Sequence, residues 1–408
     1  MSAIAPNYKR TKLGCYASYF TMSSIFCLPP MLFVTFHETF HISYTLLGTL
    51  ILVNFFTQLG IDLIFTLFSK HFPIAKVIRI MPLITAVGMA LYALIPWLFP
   101  QIAYIGLLIG TVIFSVSAGL SEVLLSPVIA AIPSKNPQRD MSLLHSLYAF
   151  GVFTMVTIST LFLKVFGTEN WMYLTLLLAT LPMIPAVLFM TSPIPDMNAQ
   201  EGSGAQSGAK RRFFALAICA ACIFFGSCAE NAMSNWISSY MEKSLRIDKA
   251  IGDILGVAMF AILLGIARIS YAKFGKNIFR VLFVGMVGAA VCYLIAGLSD
   301  VLCLSFAACI FTGLFTAMLW PGTLIMMEDN VPGAGVAAFA LMAASGDLGA
   351  SVAPQLLGIV TDTVAAANGG AEQLGMKAGM LVCAAFPILG ILAVTIAIIY
   401  FRKNKIGK

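Results

Sequence analysis

Charged residues are scarce in this chain. Only 10% of its 408 residues are Asp, Glu, Lys or Arg, whereas 60% are hydrophobic and the mean hydropathy is +0.95. A soluble protein of this length needs a more polar surface, so this scarcity excludes a soluble globular domain. Apolar runs of about 20 residues, long enough to cross a bilayer as helices, recur from end to end. The sequence therefore predicts an all-α, multi-pass membrane protein.

Signatures of catalysis and of cofactor binding are also missing. The sequence has no glycine-rich nucleotide loop, no metal-ligand spacing and no nucleophile with a base, so neither an enzyme nor a cofactor or metal centre is predicted. The nine cysteines fall in or beside the apolar runs. Cys219 and Cys222 form a CxxC pair inside such a run, without further ligands, which favours packing over metal binding.

Positive charge is present, with a net value of +7, but it does not form a patch that could bind nucleic acid. Most of the 24 basic residues lie in short segments on one side of the apolar runs. Cytoplasmic loops carry such an excess, so both termini are predicted in the cytoplasm. The first apolar run, from Leu13 to Phe36, is too long for the core of a signal peptide and is interpreted as a retained span.

Charge, proline and glycine divide the apolar sequence into twelve predicted spans. Segment 192–211, which reads SPIPDMNAQEGSGAQSGAKR, is interpreted as a flexible cytoplasmic linker. We predict an N-terminal six-helix bundle (1–191), this linker (192–211) and a C-terminal six-helix bundle (212–408). Spans 1 to 12 are predicted, in chain order, at 13–36, 45–69, 77–97, 102–131, 140–166, 169–191, 212–241, 250–272, 278–298, 301–327, 334–362 and 376–401.

The two halves carry related segments at corresponding places. Residues 119–127 in span 4 read GLSEVLLSP, and residues 313–321 in span 10 read GLFTAMLWP, with Gly, two Leu and Pro at the same positions. A second match relates LLHSLYAFG (143–151) in span 5 to LMAASGDLG (341–349) in span 11. Such internal repeats indicate a duplicated bundle.

Two six-span halves joined by a cytoplasmic linker resemble the major facilitator superfamily over essentially the whole chain. The resemblance implies that spans 1, 4, 7 and 10 surround a central cavity, and that spans 2, 5, 8 and 11 form the interface between the halves. It also implies transport by rocking of one bundle against the other. The loop signature of the family is degraded here, since FSKHFPIAK (68–76) lacks its aspartate and its second glycine.

Glu122 stands within apolar span 4, where a charge costs about 2.5–3.5 kcal/mol on insertion scales. Gly119, Glu122 and Pro127, with Ser126 in place of an Asn, are similar to the span-4 pattern of the fucose:proton symporter group. The resemblance implies that Glu122 binds substrate hydroxyls or takes up the coupling proton, and that Ser126 lines the same cavity. The acidic residue of that group in span 1 is absent. The structural alternative is a Glu122 that bonds neighbouring helices and never titrates.

Span 5 carries part of a second pattern of that group, with Leu143, His145 and Gly151 in place and Tyr148 where the group has an amide. The resemblance implies a substrate-binding role for Tyr148. His145 could shuttle protons near neutral pH, or it could be a hydrogen-bonded contact between helices.

A polar stripe runs along span 7, because its polar residues recur at steps of three and four. Such a stripe must face water or another helix, so Glu230, Asn231 and Ser234 are predicted to bind substrate, with Glu230 also a coupling candidate. Trp236 could stack on a sugar ring or anchor the span near the membrane surface. The stripe comprises Ser227, Glu230, Asn231, Ser234 and Ser238.

Trp320 lies directly before Pro321 in span 10, at the position equivalent to Ser126, and is a further substrate-binding candidate. Proline removes a helical hydrogen bond and frees a carbonyl nearby. The break at Pro321 is therefore either a hinge with a binding-site carbonyl or an ordinary kink.

Three more charged groups fall within spans. Asp347, near the middle of span 11, is predicted to face span 2 or to bind a coupling proton or sodium ion. Asp62 in span 2 and Arg268 in span 8 are interpreted as gating residues. Arg268 is expected to pair with Glu328 or Asp329 at the end of span 10.

These candidates favour a transporter of neutral polyhydroxyl solutes. Apart from Arg212 at the end of span 7, Lys and Arg are missing from spans 1, 4, 7 and 10, which argues against anionic substrates. We predict symport of a monosaccharide with H⁺ or Na⁺ by a monomer in the cell (inner or plasma) membrane. One alternative is a proton-coupled exporter of drugs or hydrophobic metabolites, which buried acids and 21 methionines would suit. Another is a sensor with a transporter fold, although such a sensor would need a cytoplasmic domain.

Overall fold

The fold is seen in a computed structural model that describes residues 7–68, 71–135, 137–195, 209–331 and 336–403. Within these ranges the chain is helical and has no β-strand. Eleven helices there are long and apolar enough to cross a membrane, and twelve if the bent pair that forms span 1 is counted as one. The twelve predicted spans are thus confirmed, with ends that differ by a few residues.

The helices are bounded as follows. The N-terminal half has Lys9–Met31 and Phe33–Phe40 (span 1), Tyr44–Phe68 (span 2), Ile74–Leu98 (span 3), Ala103–Ala131 (span 4), Pro137–Phe166 (span 5), and Trp171–Leu178 with Met183–Met190 (span 6). The C-terminal half has Ala209–Ser239 (span 7), Lys249–Ile251 with Met259–Phe274 (span 8), Ile278–Leu298 (span 9), Leu302–Thr316 with Leu319–Asn330 (span 10), Val336–Ala367 (span 11), and Glu372–Cys383 with Ala385–Lys403 (span 12). Short 3₁₀ turns cover Pro100–Ile102 and Thr168–Asn170, and π-helical turns cover Tyr240–Ser244 and Gly252–Ala258.

Residues 196–208 of the predicted linker lie outside the described residues, and span 7 begins at Ala209, inside the predicted linker range. The boundaries 1–191, 192–211 and 212–408 therefore stay predictions.

Spans 1 and 10 each contain a sharp break close to prolines. Span 1 bends by 46° directly after Pro29 and Pro30. Span 10 breaks between Thr316 and Leu319, just before Pro321. In span 10, Pro321 has no N–H to donate and its ring pushes away the carbonyl of Ala317, four residues earlier, so the helix opens at that point.

The surface and the interior have the polarity expected of a membrane protein. Large apolar side chains such as Phe213, Val165 and Phe274 are exposed on the outside of the helices. Hydroxyl and amide side chains such as Asn54 and Ser115 are buried between helices. In hydrocarbon, polar groups must find their partners inside the protein, so this arrangement requires a bilayer around the spans.

Spans 2 and 11 pack against each other across the two halves, as do spans 5 and 8. These are the interface spans that the sequence resemblance implied. The close approach depends on small residues. A Cβ atom added at Gly358 of span 11 would lie 2.9 Å from the carbonyl oxygen of Tyr44 in span 2, so a larger residue there would separate the halves.

We call the side of the molecule that carries both termini the terminal side, and the opposite side the far side. Bonds between the halves gather on the far side. Asp362 accepts hydrogen bonds from the backbone N–H and the hydroxyl of Thr45, at 2.6 and 2.5 Å, and Lys243 Nζ lies 2.7 Å from a carboxylate oxygen of Glu38. Glu372 accepts from the hydroxyl of Tyr44 at 3.3 Å. These five residues and Glu372 form what we call the far-side closure: Glu38, Tyr44, Thr45, Lys243, Asp362 and Glu372.

The terminal side is held differently. There Lys12 pairs with Asp140, and Tyr400 donates to the carbonyl of Arg211, so these bonds join helices of the same half. Because the far side is tied across the halves, the structure represents a state in which access from that side is closed.

Candidate functional site

Glu122 lies on an inward face of span 4, between spans 1 and 2. One turn before it, Gly119 packs against the backbone of Gln58, where an added Cβ would come within 3.0 Å of the Gln58 Cα. One turn after it, Ser126 Oγ is 3.3 Å from the hydroxyl of Tyr19 in span 1. Tyr19 is itself within electrostatic range of Glu122. Glu122 thus points into the bundle and not toward lipid.

Span 5 brings His145 and Tyr148 to the same place. The ring of His145 meets the edge of the Tyr19 ring at 5.2 Å between centroids. Tyr148 is within electrostatic range of Glu122 in its own half and of Glu230 and Arg268 in the other. Tyr148 therefore lies between the carboxylates of the two halves.

Glu230 forms an ion pair with Arg268 of span 8. The Arg268 Nη2 atom lies 3.3 Å from Oε1 and 3.4 Å from Oε2 of Glu230. Arg268 Nε also donates to the carbonyl of Ala317 at 2.9 Å. Ala317 is four residues before Pro321, so its carbonyl is the one that the proline ring frees. The break in span 10 thus provides an acceptor that orients the guanidinium beside Glu230.

The expected partner of Arg268 was wrong. Glu328 is exposed near the end of span 10, while Arg268 reaches the middle of that span and pairs with Glu230. The long Arg side chain carries its charge well away from its own helix. The argument against anionic substrates must also be corrected. It considered only spans 1, 4, 7 and 10, whereas Arg268 of span 8 places a basic group beside Glu230 of span 7.

We call the group formed by these half-buried side chains the central cluster. It joins spans 1, 4, 5, 7 and 8, and each of its charged or titratable members is only partly buried except Tyr19, which is buried. Glu230 and Arg268, for example, are 16% and 11% exposed. Its members are Tyr19, Glu122, Ser126, His145, Tyr148, Glu230 and Arg268.

The rest of the polar stripe on span 7 is bonded along its own helix. Asn231 Nδ2 donates to the carbonyl and the hydroxyl of Ser227, at 3.1 and 3.2 Å, and Ser234 donates to the Asn231 carbonyl at 3.4 Å. Asn231 and Ser234 remain half-buried on the inward side. Their roles in substrate binding stay predictions.

Trp236 is fully buried in this state. Its indole N–H donates to the carbonyl of Pro354 in span 11 at 3.0 Å, and its ring packs against Phe33 and Tyr44. The alternative of an anchor at the membrane surface does not fit a ring with no exposed area. Here Trp236 forms part of the wall beneath the far-side closure.

Trp320 is half-buried and packs against Gly346 of span 11, where an added Cβ would come within 2.3 Å of the indole ring. The residue after Gly346 is Asp347, which is 1% exposed and faces Asp62 of span 2. The sequence expectation that Asp347 faces span 2 matches this contact. Asp62 is equally buried and belongs to the same contact, which places it at an interface between the halves.

Sequence reasoning missed two buried groups. Tyr19 gave no signal, because a tyrosine in an apolar span is an ordinary packing residue. Asp253 falls within the predicted span 8 and was passed over; it is buried, bonded to Ser238 and 3.8 Å from Lys249. In the described ranges, no three His, Cys, Asp or Glu residues come together as metal ligands would.

Several solved transporters have a similar fold. A bacterial homolog of the human lysosomal transporter Spinster, inward-facing and unoccupied, matches with a TM-score of 0.73 at 13% identity, over 98% of this chain and 99% of that chain. The E. coli fucose:proton symporter FucP gives 0.66 at 13%, over 96% and 99%. The human organic anion transporter TETRAN gives 0.66 at 11%, over 95% and 100%.

Identities this low show the fold alone, and no curated protein matches the sequence. The family is shown by the sequence model that describes the Major Facilitator Superfamily, which matches residues 14–354. Membership indicates a transporter of small molecules in a membrane rather than an enzyme. With its fold, its interface spans and this match in agreement, the chain belongs to the Major Facilitator Superfamily.

Proposed function

We propose that this transporter carries a small polyhydroxyl solute, a monosaccharide, together with a proton by alternating access between its two halves. The observation that carries the proposal is the central cluster. It presents carboxylates, phenols and an imidazole from both halves to one region, and these groups can bind hydroxyls as donors or acceptors. A solute held there would contact both halves at once, which rocking transport requires.

Glu122 is the proposed proton carrier of the cluster. Among the described residues no cation forms an ion pair with it, whereas Glu230 is paired with Arg268. A carboxylate without a cation, at membrane depth, is stable only when it is protonated or hydrated. Proton uptake at Glu122 from a half-open cluster therefore offers a natural coupling step. The fold shared with a fucose:proton symporter is compatible with this assignment but does not carry it.

The terminal side is assigned to the cytoplasm, because most of the basic residues flank the spans on that side. With this orientation, the far-side closure shuts the transporter toward the outside in the state described here. We place the protein in the cell membrane as a monomer on the same sequence grounds.

The test is uptake of radiolabelled monosaccharides into proteoliposomes, with pH and sodium gradients imposed separately. Accumulation of a sugar driven by the pH gradient supports proton symport, and accumulation driven only by sodium would move the coupling to Na⁺. Substrate-driven release of protons, instead of their uptake, would favour the export of drugs or hydrophobic metabolites.

A second candidate is an organic anion, and Arg268 is the observation that favours it. A guanidinium binds a carboxylate through two parallel hydrogen bonds, so a substrate carboxylate could replace Glu230 once that residue is protonated. Competition separates the two candidates. Unlabelled monosaccharides should inhibit uptake of a labelled sugar, whereas inhibition by organic anions alone would favour the second candidate.

A further inference from the structure

His37 lies at the far-side end of span 1, beside the far-side closure. Its helix ends at Phe40, and His41 takes a left-handed backbone conformation (φ 55°) that turns the chain. The turn brings the carbonyl oxygen of Ile42 to 2.8 Å from Nδ1 of His37. A carbonyl oxygen can only accept a hydrogen bond, so Nδ1 carries a hydrogen. The charge of the ring is then decided by whether Nε2 carries a hydrogen as well.

The Nε2 atom of His37 faces the other half of the molecule. It lies 3.4 Å from Oε1 of Glu372, the first residue of span 12. The imidazole also stacks on the ring of Tyr44 in span 2, with 4.4 Å between the centroids and 17° between the planes. The Tyr44 hydroxyl donates to Oε2 of Glu372 at 3.3 Å. Two stacked rings of the N-terminal half therefore approach the two oxygens of one carboxylate in the C-terminal half.

The contact between His37 and Glu372 changes sign with the proton on Nε2. In a neutral imidazole that carries its hydrogen on Nδ1, the Nε2 atom is an acceptor. It then faces a carboxylate oxygen, which is also an acceptor, and nothing draws the two together. In the imidazolium both nitrogens are donors, and a positive charge faces the carboxylate. The contact thus attracts the two halves only when His37 is protonated.

Other charged groups surround this contact. The acids within electrostatic range of Tyr44, on which the imidazole stacks, are Glu38, Glu242 and Glu372. Lys243 Nζ lies 2.7 Å from a carboxylate oxygen of Glu38 and 4.0 Å from Oε2 of Glu372, so its charge is divided between two acids. Glu242 lies 3.5 Å from the amine of Lys249. Among the described acids, Glu372 comes within ion-pair distance of His37.

The contact is open to water as well as to the protein. The side chains of His37 and Glu372 are each 30% exposed, so the imidazole can exchange a proton with the medium on the far side. Solvent also weakens the pair. An ion pair with this exposure changes the ratio of two conformational states by about two- to fivefold, which suits a regulator better than a permanent tie.

We propose that protonation of His37 from the far-side medium locks the far-side closure, and that loss of this proton loosens it. The closed state, in which Nε2 faces Glu372, binds the proton more tightly than a state with separated halves. Acid therefore favours the closed state, and this effect is lost as the pH rises through the range of about 5 to 8 in which imidazole gives up its proton. No bond other than N–H forms or breaks. The proposal rests on the proposed function only for placing the far side outside the cell.

The test is pulsed electron paramagnetic resonance on the full-length protein in lipid, at pH 5.5 and pH 8. Spin labels at Ile102 and Val301, which are exposed in far-side turns of opposite halves, measure the opening away from the contact itself. The exposed Cys303 is replaced by Ser. We expect the ratio of closed to open molecules to be about two- to fivefold higher at pH 5.5. A second background, Asp362→Ala, removes an acceptor from the closure and increases the open population.

Variants separate the imidazole from the other titratable groups. His37→Gln keeps a polar side chain without the charge and should lose the pH response. Glu372→Gln should lose it as well, because an amide does not attract the imidazolium. The matched control is His41→Gln, since His41 is exposed and should leave the response unchanged.

Three outcomes would overturn the proposal: no pH response in either background, a response of opposite sign, or a response that survives in His37→Gln. The first two need no histidine variant, so a variant that fails to fold leaves the proposal testable. The measurement uses no solute. A pH response that depends on His37 without any sugar uptake would keep the lock and reject the proposed function.

Discussion

The two halves contribute one carboxylate each to the central cluster, Glu122 from span 4 and Glu230 from span 7, and their surroundings differ. Glu230 lies 3.3 Å from the guanidinium of Arg268, which is fixed in turn by the freed carbonyl of Ala317. Glu122 has the phenol of Tyr19 and the carboxyl groups of Asp62 and Asp347 in range, and no ion pair to it is seen in the described part of the chain.

A carboxylate with a bound cation can stay ionised through a transport cycle, whereas one surrounded by acids changes its proton number more readily. The duplicated halves have therefore diverged in chemistry. Under the proposed function, the charged pair of the C-terminal half orients the solute and Glu122 of the N-terminal half carries the proton. Variants that remove one role at a time test this division.

The largest effect is expected from Glu122→Gln. The amide keeps the size of the side chain but cannot bind and release a proton, so we expect accumulation against a gradient to fall to simple equilibration. Folding should be intact, because no described residue forms an ion pair with Glu122 that the change would break. The measurement is sugar accumulation in proteoliposomes with an imposed pH gradient, alongside exchange of labelled for unlabelled sugar at equal pH.

Glu328→Gln is the control. Glu328 is an exposed acid near the end of span 10 on the terminal side, so this variant should transport normally. Full accumulation by Glu122→Gln would remove Glu122 from the coupling mechanism. Loss of exchange together with accumulation would instead indicate a substrate-binding role for this residue.

The next effect concerns the pair of Glu230 and Arg268. Removing one partner leaves a poorly solvated charge, so Glu230→Gln and Arg268→Gln should each cost about 2–3 kcal/mol of stability, less than a fully buried pair would. Glu230→Gln should also weaken apparent substrate affinity. The double variant should regain part of the loss, which a double-mutant cycle of thermal unfolding measures. Additive losses, or an unchanged affinity, would mean that the pair does not act as a unit.

The sequence was sufficient for the fold because the bilayer imposes simple rules. Helix length, apolar content and the boundaries set by charge, proline and glycine led to the twelve spans, and the proline that ends the repeat indicated the break in span 10. Glu122 and Glu230 were found for the same reason, since a charge in a span has few explanations. Their inward orientation and their shared neighbour Tyr148 agree with that interpretation.

The pairing of these charges could not be predicted, because it depends on how far side chains reach. Arg268 was matched with Glu328 by depth along neighbouring helices, yet its long side chain extends to Ala317 and Glu230. Trp236 was predicted either to stack on a sugar or to anchor the span, and its burial follows from contacts with Phe33, Tyr44 and Pro354 that the sequence does not show. The far-side closure was missed because its members lie in short turns and at helix ends.

A smaller effect is expected at the far-side closure. Asp362→Ala removes the acceptor of two hydrogen bonds from Thr45 and should destabilise the closed far side by about 1–2 kcal/mol, which is roughly a five- to thirtyfold shift in population. Spin labels at Leu46 and Leu374, which are exposed on opposite halves, would measure the distance between the halves on the far side. Cys303, an exposed cysteine, is first replaced by Ser.

Lys243→Gln is the comparison variant for the closure. Its partner Glu38 is 59% exposed, so this ion pair should stabilise the closed far side by only about 0.5 kcal/mol. Lys243→Gln should therefore change the distance between the spin labels much less than Asp362→Ala does. Equal shifts in the two variants, or none in Asp362→Ala, would show that apolar packing around Trp236 holds the far side closed without help from these bonds.

The smallest effect is expected from Asp300→Asn, which tests whether an acid outside the membrane behaves differently from the acids within it. A hydrogen bond from Lys377 at 2.6 Å holds the pKa of the exposed Asp300 carboxyl below its ordinary value. A lowered pKa in the folded state stabilises the protein above the ordinary pKa of aspartate, and that contribution disappears as the pH falls through the lowered value. Thermal unfolding should therefore differ slightly between Asp300→Asn and the unmodified protein at neutral pH and converge in acid, while proton-driven uptake stays unchanged. If Asp300→Asn reduced uptake as much as Glu122→Gln does, carboxyl groups would matter for transport wherever they lie. The difference in surroundings between Glu122 and the ion-paired acids would then not explain which acids transport requires.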